Sequence, residues 1–414
     1  MNPIARTFLL PGLLLCAAGA ATLFAVNHGS AQAQSATNAD KPLAEYQRKL
    51  IDLAFTSVSA MPANPHKKNR SRAEESVVAT CFELDQPQRA LALVERIDDW
   101  RKGSGYADYA FYRARHGETK DVQHFLDLAQ QISDQGEPTI SQDWQKDRIR
   151  VAIAKTHAWL GEPEQAARFE AGLEHADMGK VDAVRAMRSD GTEFDEQLRA
   201  LDAVFAHGDF DLVHNALETC AQLFDRHYDE PTRRNLMEER IKTSWGKLPL
   251  QVRIEVLMEL ARFALDHKDE KKALALVDDA QAILDSGKWL PENATPLAAP
   301  LALLRFEAGD RGAARANLDA LLALYESQRG LIVDIYRAGT LRPIAEAYQR
   351  MGETAKALAV YARAVEEGAA NPNARPRAED LSATCCSMAK CAVEPDAQLW
   401  KKLDEVAKGL KDPW

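Results

Sequence analysis

Apolar and polar positions follow one another along this chain with the spacing of α-helices. The clearest stretch is Leu341–Ala364, where two short helices are predicted on either side of a turn at Met351-Gly352-Glu353. Residues three and four apart lie on one face of a helix, so we expect these two helices to pack face to face. The residues on the facing sides are Leu341, Ile344, Ala345, Tyr348, Ala357, Tyr361 and Ala364.

The same helix–turn–helix arrangement recurs along most of the chain. In five of seven predicted turns a glycine can supply the left-handed backbone conformation with which helices commonly end. The turns are Leu84-Asp85, Gly117-Glu118, Gly161-Glu162, Gly208-Asp209, Lys268-Asp269, Gly309-Asp310 and Gly352-Glu353. Each second helix has a small or β-branched residue near its start that is predicted to face inward. These residues, which recur on average about every 44 positions, are Ala90, Val122, Ala166, Val213, Ala273, Ala314 and Ala357.

The unit at Leu341–Ala364 resembles the tetratricopeptide repeat (TPR). The family pattern W-x2-L-G-x2-Y…A-x3-F…P is matched by Leu341, Ile344, Ala345, Tyr348, Ala357, Tyr361 and Pro372. Leu replaces Trp, Ala replaces Gly, and the proline comes late. The resemblance covers about residues 72–364, with a longer period than the ~34 residues of a plain TPR. It implies an all-α, right-handed α-solenoid of about seven TPR-like helix pairs, with the first helix of each pair lining a concave surface.

The N-terminal segment predicts export. Residues 8–26 are almost wholly apolar, follow the single charge of Arg6, and precede an Ala31-Gln32-Ala33 cleavage signal. Residues 1–33 are therefore interpreted as a signal peptide, which places the protein in the periplasm or another extracytoplasmic space. The alternative is an inner-membrane anchor formed by residues 8–26, because 19 apolar residues approach the ~20 that span a bilayer.

Composition shifts divide the remaining chain into four parts. We predict a polar tether at residues 34–41 and a pair of capping helices at residues 376–414. Between them lie two TPR-like solenoid halves, residues 42–228 and 229–375. Three stretches interrupt the repeats: His175–Glu193 is predicted as a long connection, Pro231–Gly246 as an extra short helix, and Ser286–Pro300 as a loop.

Charge argues against nucleic acid as a partner. The net charge of the chain is −10, and it becomes −11 without residues 1–33, whose only charged residue is Arg6. Such a surface repels phosphate backbones. The densest basic run, His66–Arg70, lies in a proline-containing stretch and is interpreted as a solvated connector.

Sequence motifs give no support for catalysis. The P-loop, zinc-protease, nucleophile-elbow and dinucleotide-binding patterns are all missing from the sequence. Cys81 and Cys220 are predicted to be small core residues. The run Cys385-Cys386-x4-Cys391 lacks a nearby histidine and has the wrong spacing for a zinc site. We therefore expect no enzyme activity, no cofactor and no metal.

The concave surface implied by the TPR resemblance supplies the candidate site. Its aromatic and basic residues could hold an extended peptide or a partner helix in an apolar groove with charged selectors; alternatively, the aromatic residues pack inside the repeats. The function predicted is that of a scaffold or adaptor for a protein or peptide partner. The alternatives are a small-molecule or glycan-binding module and an accessory subunit of an envelope enzyme. The candidate partner-binding residues are Phe82, Phe111, Trp159, Phe205, Arg262 and Phe306.

Overall fold

The structure, a computed structural model, describes residues 40–135, 143–173, 175–189, 191–208 and 210–414. The predicted signal segment and most of the tether lie outside these residues. The described part of the chain contains 19 α-helices and no strand, which confirms the all-α prediction. The helices are α1 (Glu45–Ser59), α2 (Ala63–Glu83), α3 (Pro87–Val94), α4 (Arg101–Arg115), α5 (Val122–Gln135), α6 (Asp143–Leu160), α7 (Pro163–Glu170), α8 (His175–Arg188), α9 (Phe194–His207), α10 (Phe210–Arg226), α11 (Pro231–Ser244), α12 (Leu250–Asp266), α13 (Glu270–Ser286), α14 (Pro291–Glu307), α15 (Arg311–Gln328), α16 (Asp334–Arg350), α17 (Thr354–Ala369), α18 (Ala374–Lys390) and α19 (Ala397–Lys408).

The helix pair α16/α17 has the predicted arrangement. All seven facing residues named above are buried, with at most 1% of each exposed. Gly352 takes a φ of 82° after α16, and the next amide, Glu353 N–H, donates to the Tyr348 carbonyl at 2.9 Å. A left-handed residue thus ends the first helix and turns the chain into the second.

Six of the seven predicted turns contain such a left-handed residue. Four of them use glycine, whereas Asp85 (φ 54°) and Lys268 (φ 60°) adopt the conformation despite their side chains. The seventh turn differs, because Gly208 has an extended backbone with φ −67°. The seven small or β-branched residues of the second helices are all buried, as predicted.

The prediction of a long connection at His175–Glu193 is wrong, because α8 occupies most of this stretch. Val181 and Val184 are buried at helical spacing within otherwise polar sequence. Gly179 does not break the helix but permits a close helix crossing. A Cβ at this position would lie 2.1 Å from the Cβ of Asn215 on α10, a distance that only glycine avoids.

The predicted loop at Ser286–Pro300 is also wrong, since α14 begins at Pro291. Pro291 occupies the first turn, where no N–H is needed, while Pro296 and Pro300 lie inside the helix. Leu297, Leu301 and Leu304 are buried at helical spacing, and this apolar face holds the helix together despite two missing backbone hydrogen bonds. The extra helix predicted within Pro231–Gly246 is present as α11. The basic run His66–Arg70, predicted as a connector, instead lies within α2.

The even-numbered helices pack against one another in succession, and the last of them packs against the first. Each even-numbered helix from α2 to α18 packs against the next even-numbered helix, and α18 packs against α2. We call these nine helices the even-numbered row. The odd-numbered helices α3, α5, α7, α9, α11, α13, α15 and α17 pack against one or both of the flanking members of this row.

The two ends of the described chain form a helix pair. Helix α1 packs extensively against α18, and the side-chain amide of Gln47 donates to the Ala389 carbonyl at 2.8 Å. Lys390 Nζ lies 3.3 Å from Glu83 Oε2 on α2. Helix α18, which the sequence assigns to a terminal cap, therefore lies between the last helices of the array and the first. This long-range contact has no signal in the local sequence pattern.

Candidate binding site

The structure distributes the six candidate residues over different environments. Phe82 lies on α2, Phe111 on α4, Trp159 on α6, Arg262 on α12 and Phe306 on α14, all within the even-numbered row. Phe205 lies on α9, which packs against α10 and stands outside the row. Its side chain is half-buried against the apolar core that the successive helices from α8 to α14 form.

Phe82 is a core residue. It is 6% exposed, and its ring centroid lies 5.4 Å from that of Tyr112 and 6.5 Å from that of Tyr109 on α4. The ring therefore fills the contact between α2 and α4 and leaves little surface for a partner.

Phe111 and Trp159 meet across the contact between α4 and α6. Their ring centroids are 6.1 Å apart in an edge-to-face arrangement, and both side chains are half-buried. The Trp159 indole N–H donates to the Ala114 carbonyl at 3.2 Å, which fixes the ring over the end of α4. Two aromatic faces are thus held in place and remain partly open to solvent.

Cationic side chains surround these two rings. The Lys155 ammonium lies 4.2 Å from the centroid of the Phe111 ring. The Arg115 guanidinium lies 5.7 Å from the Phe111 ring and 5.4 Å from the Trp159 ring. Arg188 on α8 lies 5.6 Å from the Trp159 ring. Cation–π attraction accounts for these positions, and we call the five residues the aromatic–cation cluster.

Electrostatic conditions in the cluster favour an incoming anion. Burial lowers the pKa of Lys155, Asp108 raises it, and the neighbouring cations Lys180 and Arg115 lower it again. Burial also lowers the pKa of Arg115. A bound negative charge would offset the repulsion among these cations and raise the pKa of Lys155 toward its ordinary value.

Arg262 and Phe306, on α12 and α14, belong to a different environment. Arg262 forms an ion pair with Glu307, and both side chains are about one-third exposed. The guanidinium groups of Arg311 and Arg315 lie 5.4 Å and 5.0 Å from the Phe306 ring. Since Arg262 is already paired with Glu307, it presents less free charge to a ligand than Lys155 or Arg188.

An acidic group lies on α10 and α12 of the same row. The half-buried carboxyl of Glu259 has a pKa raised to about 8 by burial and by repulsion from Glu218 and Asp225. The Gln222 side-chain amide donates to it at 2.9 Å. Asp225 in turn lies 2.9 Å from His267 Nε2. The row thus has cations around α4, α6 and α8 and carboxylates on α10 and α12.

Sequence spacing could not reveal the histidine–carboxylate contacts. His157 Nδ1 lies 2.7 Å from Glu162 Oε2, and His227 Nδ1 lies 2.7 Å from Glu230 Oε1. Both imidazoles are almost fully buried, whereas their carboxylates are about half exposed. Each pair joins the end of one helix to the start of the next, which is a structural role.

Thiols and metal ligands add no further site in the described part of the chain. Cys81, Cys220, Cys385 and Cys386 are buried, Cys391 is half-buried, and none of the five forms a disulfide. The core placement predicted for Cys81 and Cys220 is confirmed. Among the described residues, no group of three or more His, Cys, Asp or Glu side chains is arranged to hold a metal ion.

Two exposed apolar loops precede the neighbouring helices α14 and α16. Leu290 is 60% exposed in the first, and Leu331 is 75% exposed in the second. Val333 and Ile335 continue the second loop into α16 and are also exposed. We call these four residues the apolar loops. Helical periodicity gives no signal for Leu290, Leu331 and Val333, because these residues lie outside the α-helices.

Sequence comparison assigns the chain to no family. No protein-family model matches the sequence, and no curated protein is significantly similar to it. Across the described residues, no helix has the length and apolar character needed to cross a membrane. The aromatic–cation cluster is the feature of the even-numbered row with the clearest binding chemistry.

Proposed function

We propose that this protein is an exported, TPR-like α-solenoid that binds a protein or peptide partner along its even-numbered row and catalyses no reaction itself. The observation that carries the proposal is the aromatic–cation cluster, in which two fixed aromatic rings and three cations are partly open to solvent. Aromatic and arginine side chains are the types that contribute most to binding at protein interfaces.

The repeated turn geometry supports the solenoid part of the proposal. Left-handed residues end α2, α4, α6, α12, α14 and α16, and each is followed by a helix with a buried small or β-branched residue. In solenoids such repeats stack so that each contacts its neighbours, and the stacked helices expose a long binding surface. Successive contacts along the even-numbered row are the pattern expected of such stacking.

An accessory enzymatic role is the second candidate, because Glu259 has a strongly raised pKa. A perturbed carboxyl can mark an active site, but structural clusters of acidic groups have the same effect. Repulsion from Glu218 and Asp225, together with burial, accounts for the shift. The cavities between α17, α18 and α19 are lined by other residues. Partner binding therefore has the stronger support.

Site-specific photocrosslinking tests the proposed function. A photoreactive phenylalanine analogue would replace Phe111 in the cluster or, as the matched control, Phe205 on α9. Both side chains are half-buried aromatics, but only the first lies on the even-numbered row. In cells that make the protein naturally, we expect a discrete adduct from position 111 alone. No adduct, or the same adducts from both positions, would contradict the proposal.

N-terminal sequencing of the purified protein tests the export part. We expect a mature chain that begins near Gln34, because cleavage follows Ala33 in the predicted signal. A chain that retains residues 8–26 and fractionates with membranes would favour the anchored alternative.

A further inference from the structure

We infer that the aromatic–cation cluster is a site for an acidic, extended segment of a protein partner, whose Asp and Glu carboxylates would bind Lys155 and Arg188 beside the rings of Phe111 and Trp159. This inference rests on the proposed function and specifies the chemistry of the partner. It is carried by the charge balance of the cluster and by its position across three neighbouring helices.

The first argument is that, among the described residues, Lys155 and Arg188 have no carboxylate partner, whereas other cations on the same row do. On the same row, Arg148 lies 2.8 Å from Glu75, and Arg342 lies 2.9 Å from Asp380. Within the part of the chain that the structure describes, neither Lys155 nor Arg188 forms an ion pair; each lies over an aromatic ring instead.

The second argument is that the ring contacts leave these charges available. A cation over an aromatic face keeps its full charge, because the ring carries no net charge that could neutralise it. A carboxylate can therefore approach the ammonium or guanidinium group from the side away from the ring. The rings then offer apolar surface to the neighbouring atoms of the same ligand.

The third argument concerns spacing. The cations come from α4, α6 and α8, which pack in succession. Packed helix axes lie about 8–10 Å apart, and a peptide in the extended polyproline II conformation advances about 3.1 Å per residue with three residues per turn. Such a peptide, crossing the three helices, would thus place every third side chain on the same side and over a new helix. An acidic residue at about every third position matches this arrangement.

Carboxylates fit the cluster better than dense phosphate chains do. The protein has a net charge of −10, so a polyphosphate or nucleic acid backbone would be repelled by the rest of the surface. Asp108, whose charge raises the pKa of Lys155, adds a local negative charge that would repel a closely spaced polyanion. A peptide with separated carboxylates avoids most of this repulsion.

Peptide titration tests the inference on the full chain. The probe is a fluorescent twelve-residue peptide with Glu at every third position and one tyrosine, and its control has Gln in place of Glu. We expect saturable binding of the Glu peptide, weakened by salt. The Gln peptide should bind with an affinity at least about tenfold lower. Equal binding of the two peptides would overturn the inference.

Paired variants connect binding to the cluster. The double variant Lys155→Gln/Arg188→Gln should weaken binding of the Glu peptide about tenfold, from the loss of two charge contacts. The control Lys402→Gln/Lys408→Gln removes two exposed positive charges from α19 and should change the affinity less than about twofold. Arg188→Gln alone, at an exposed position, keeps the test valid if the double variant does not fold. Equal weakening by cluster and control variants would overturn the inference.

Three further outcomes separate this inference from the proposed function. If inorganic polyphosphate binds more tightly than the Glu peptide and displaces it, the assignment to carboxylates is wrong. If position 111 crosslinks to a partner but neither peptide binds, the partner-binding function stands and the acidic-segment inference fails. If neither crosslinking nor peptide binding occurs, both fail.

Discussion

The raised pKa of Glu259 makes a specific prediction about stability and pH. Glu259 lies on α12, where burial and the carboxylates of Glu218 and Asp225 hold its pKa at about 8 instead of 4.5. His267 lies beside Asp225, and Gln222 donates a hydrogen bond to Glu259. The substitution Glu259→Gln keeps the shape of the side chain and removes the ionisable group.

The sign follows from proton linkage. An acid whose pKa is higher in the folded state than in the unfolded state binds protons more tightly when folded, so stability falls as pH rises from about 4.5 to about 8. One pKa unit corresponds to about 1.4 kcal/mol, which gives a loss of roughly 3 kcal/mol between pH 5.5 and 9. Solvent and salt screen the half-buried group, and we expect an observed loss of about 2 kcal/mol.

Urea unfolding at both pH values measures this difference. Relative to the wild type, the stabilisation by Glu259→Gln should be about 2 kcal/mol larger at pH 9 than at pH 5.5. The control is Glu255→Gln, one turn earlier on α12, where the side chain is exposed. This control should show no such pH-dependent gain.

Two results would refute this reasoning. A Glu259→Gln variant that is destabilised equally at both pH values would mean that the hydrogen bond with Gln222 matters more than the charge repulsion. A pH-dependent gain of the same size in Glu255→Gln would mean that general charge on α12, and not the environment of Glu259, causes the effect.

Three further predictions concern closure, turns and thiols. Leu50→Ala on α1, at a fully buried position, should lower the free energy of unfolding by about 3 kcal/mol and should raise amide hydrogen exchange in α18. The control Leu321→Ala on α15 should not affect exchange in α18 preferentially. Equal exchange in α18 for both variants would contradict the pairing of α1 with α18. Gly352→Ala, at φ 82° with no atom within 4 Å of the added Cβ, should destabilise the protein by about 1 kcal/mol because of backbone strain alone. The control Gly312→Ala, inside α15, should raise the melting temperature. A neutral effect of Gly352→Ala would show that the turn tolerates other conformations. Among the described thiols, Cys391 should react first with a thiol reagent at pH 8, since the other four are buried. Rapid reaction of all five thiols in the folded protein would show that the core opens readily.

Local pattern was enough to predict the helix pairs. The left-handed glycines and the buried alanines are set by residues within one turn of each other, and these positions agree with the structure except at Gly208, which is extended. Where the local pattern predicts the wrong element, a tertiary contact determines the structure instead. Gly179 looks like a helix breaker in the sequence but serves a close contact with Asn215. Pro296 and Pro300 look like loop residues but lie in a helix held by buried leucines.

The candidate site was only partly predictable for the same reason. Phe111 and Trp159 were identified from helix faces, but their contact with each other and with Arg188 depends on how α4, α6 and α8 pack. Phe82 was identified by the same rule and proved to be buried, since the tyrosines of α4 cover it. Helical periodicity shows that a residue faces a neighbour, but it does not show how much of the residue the neighbour covers.

The central claim is that a partner binds across α4, α6 and α8. Hydrogen–deuterium exchange on the protein alone and in complex with the partner captured at position 111 tests it most directly. We predict slower exchange upon binding in α4, α6 and α8, with little change at the apolar loops around Leu290 and Leu331. Protection confined to the apolar loops, with none in α4, α6 and α8, would contradict the claim and place the binding surface there.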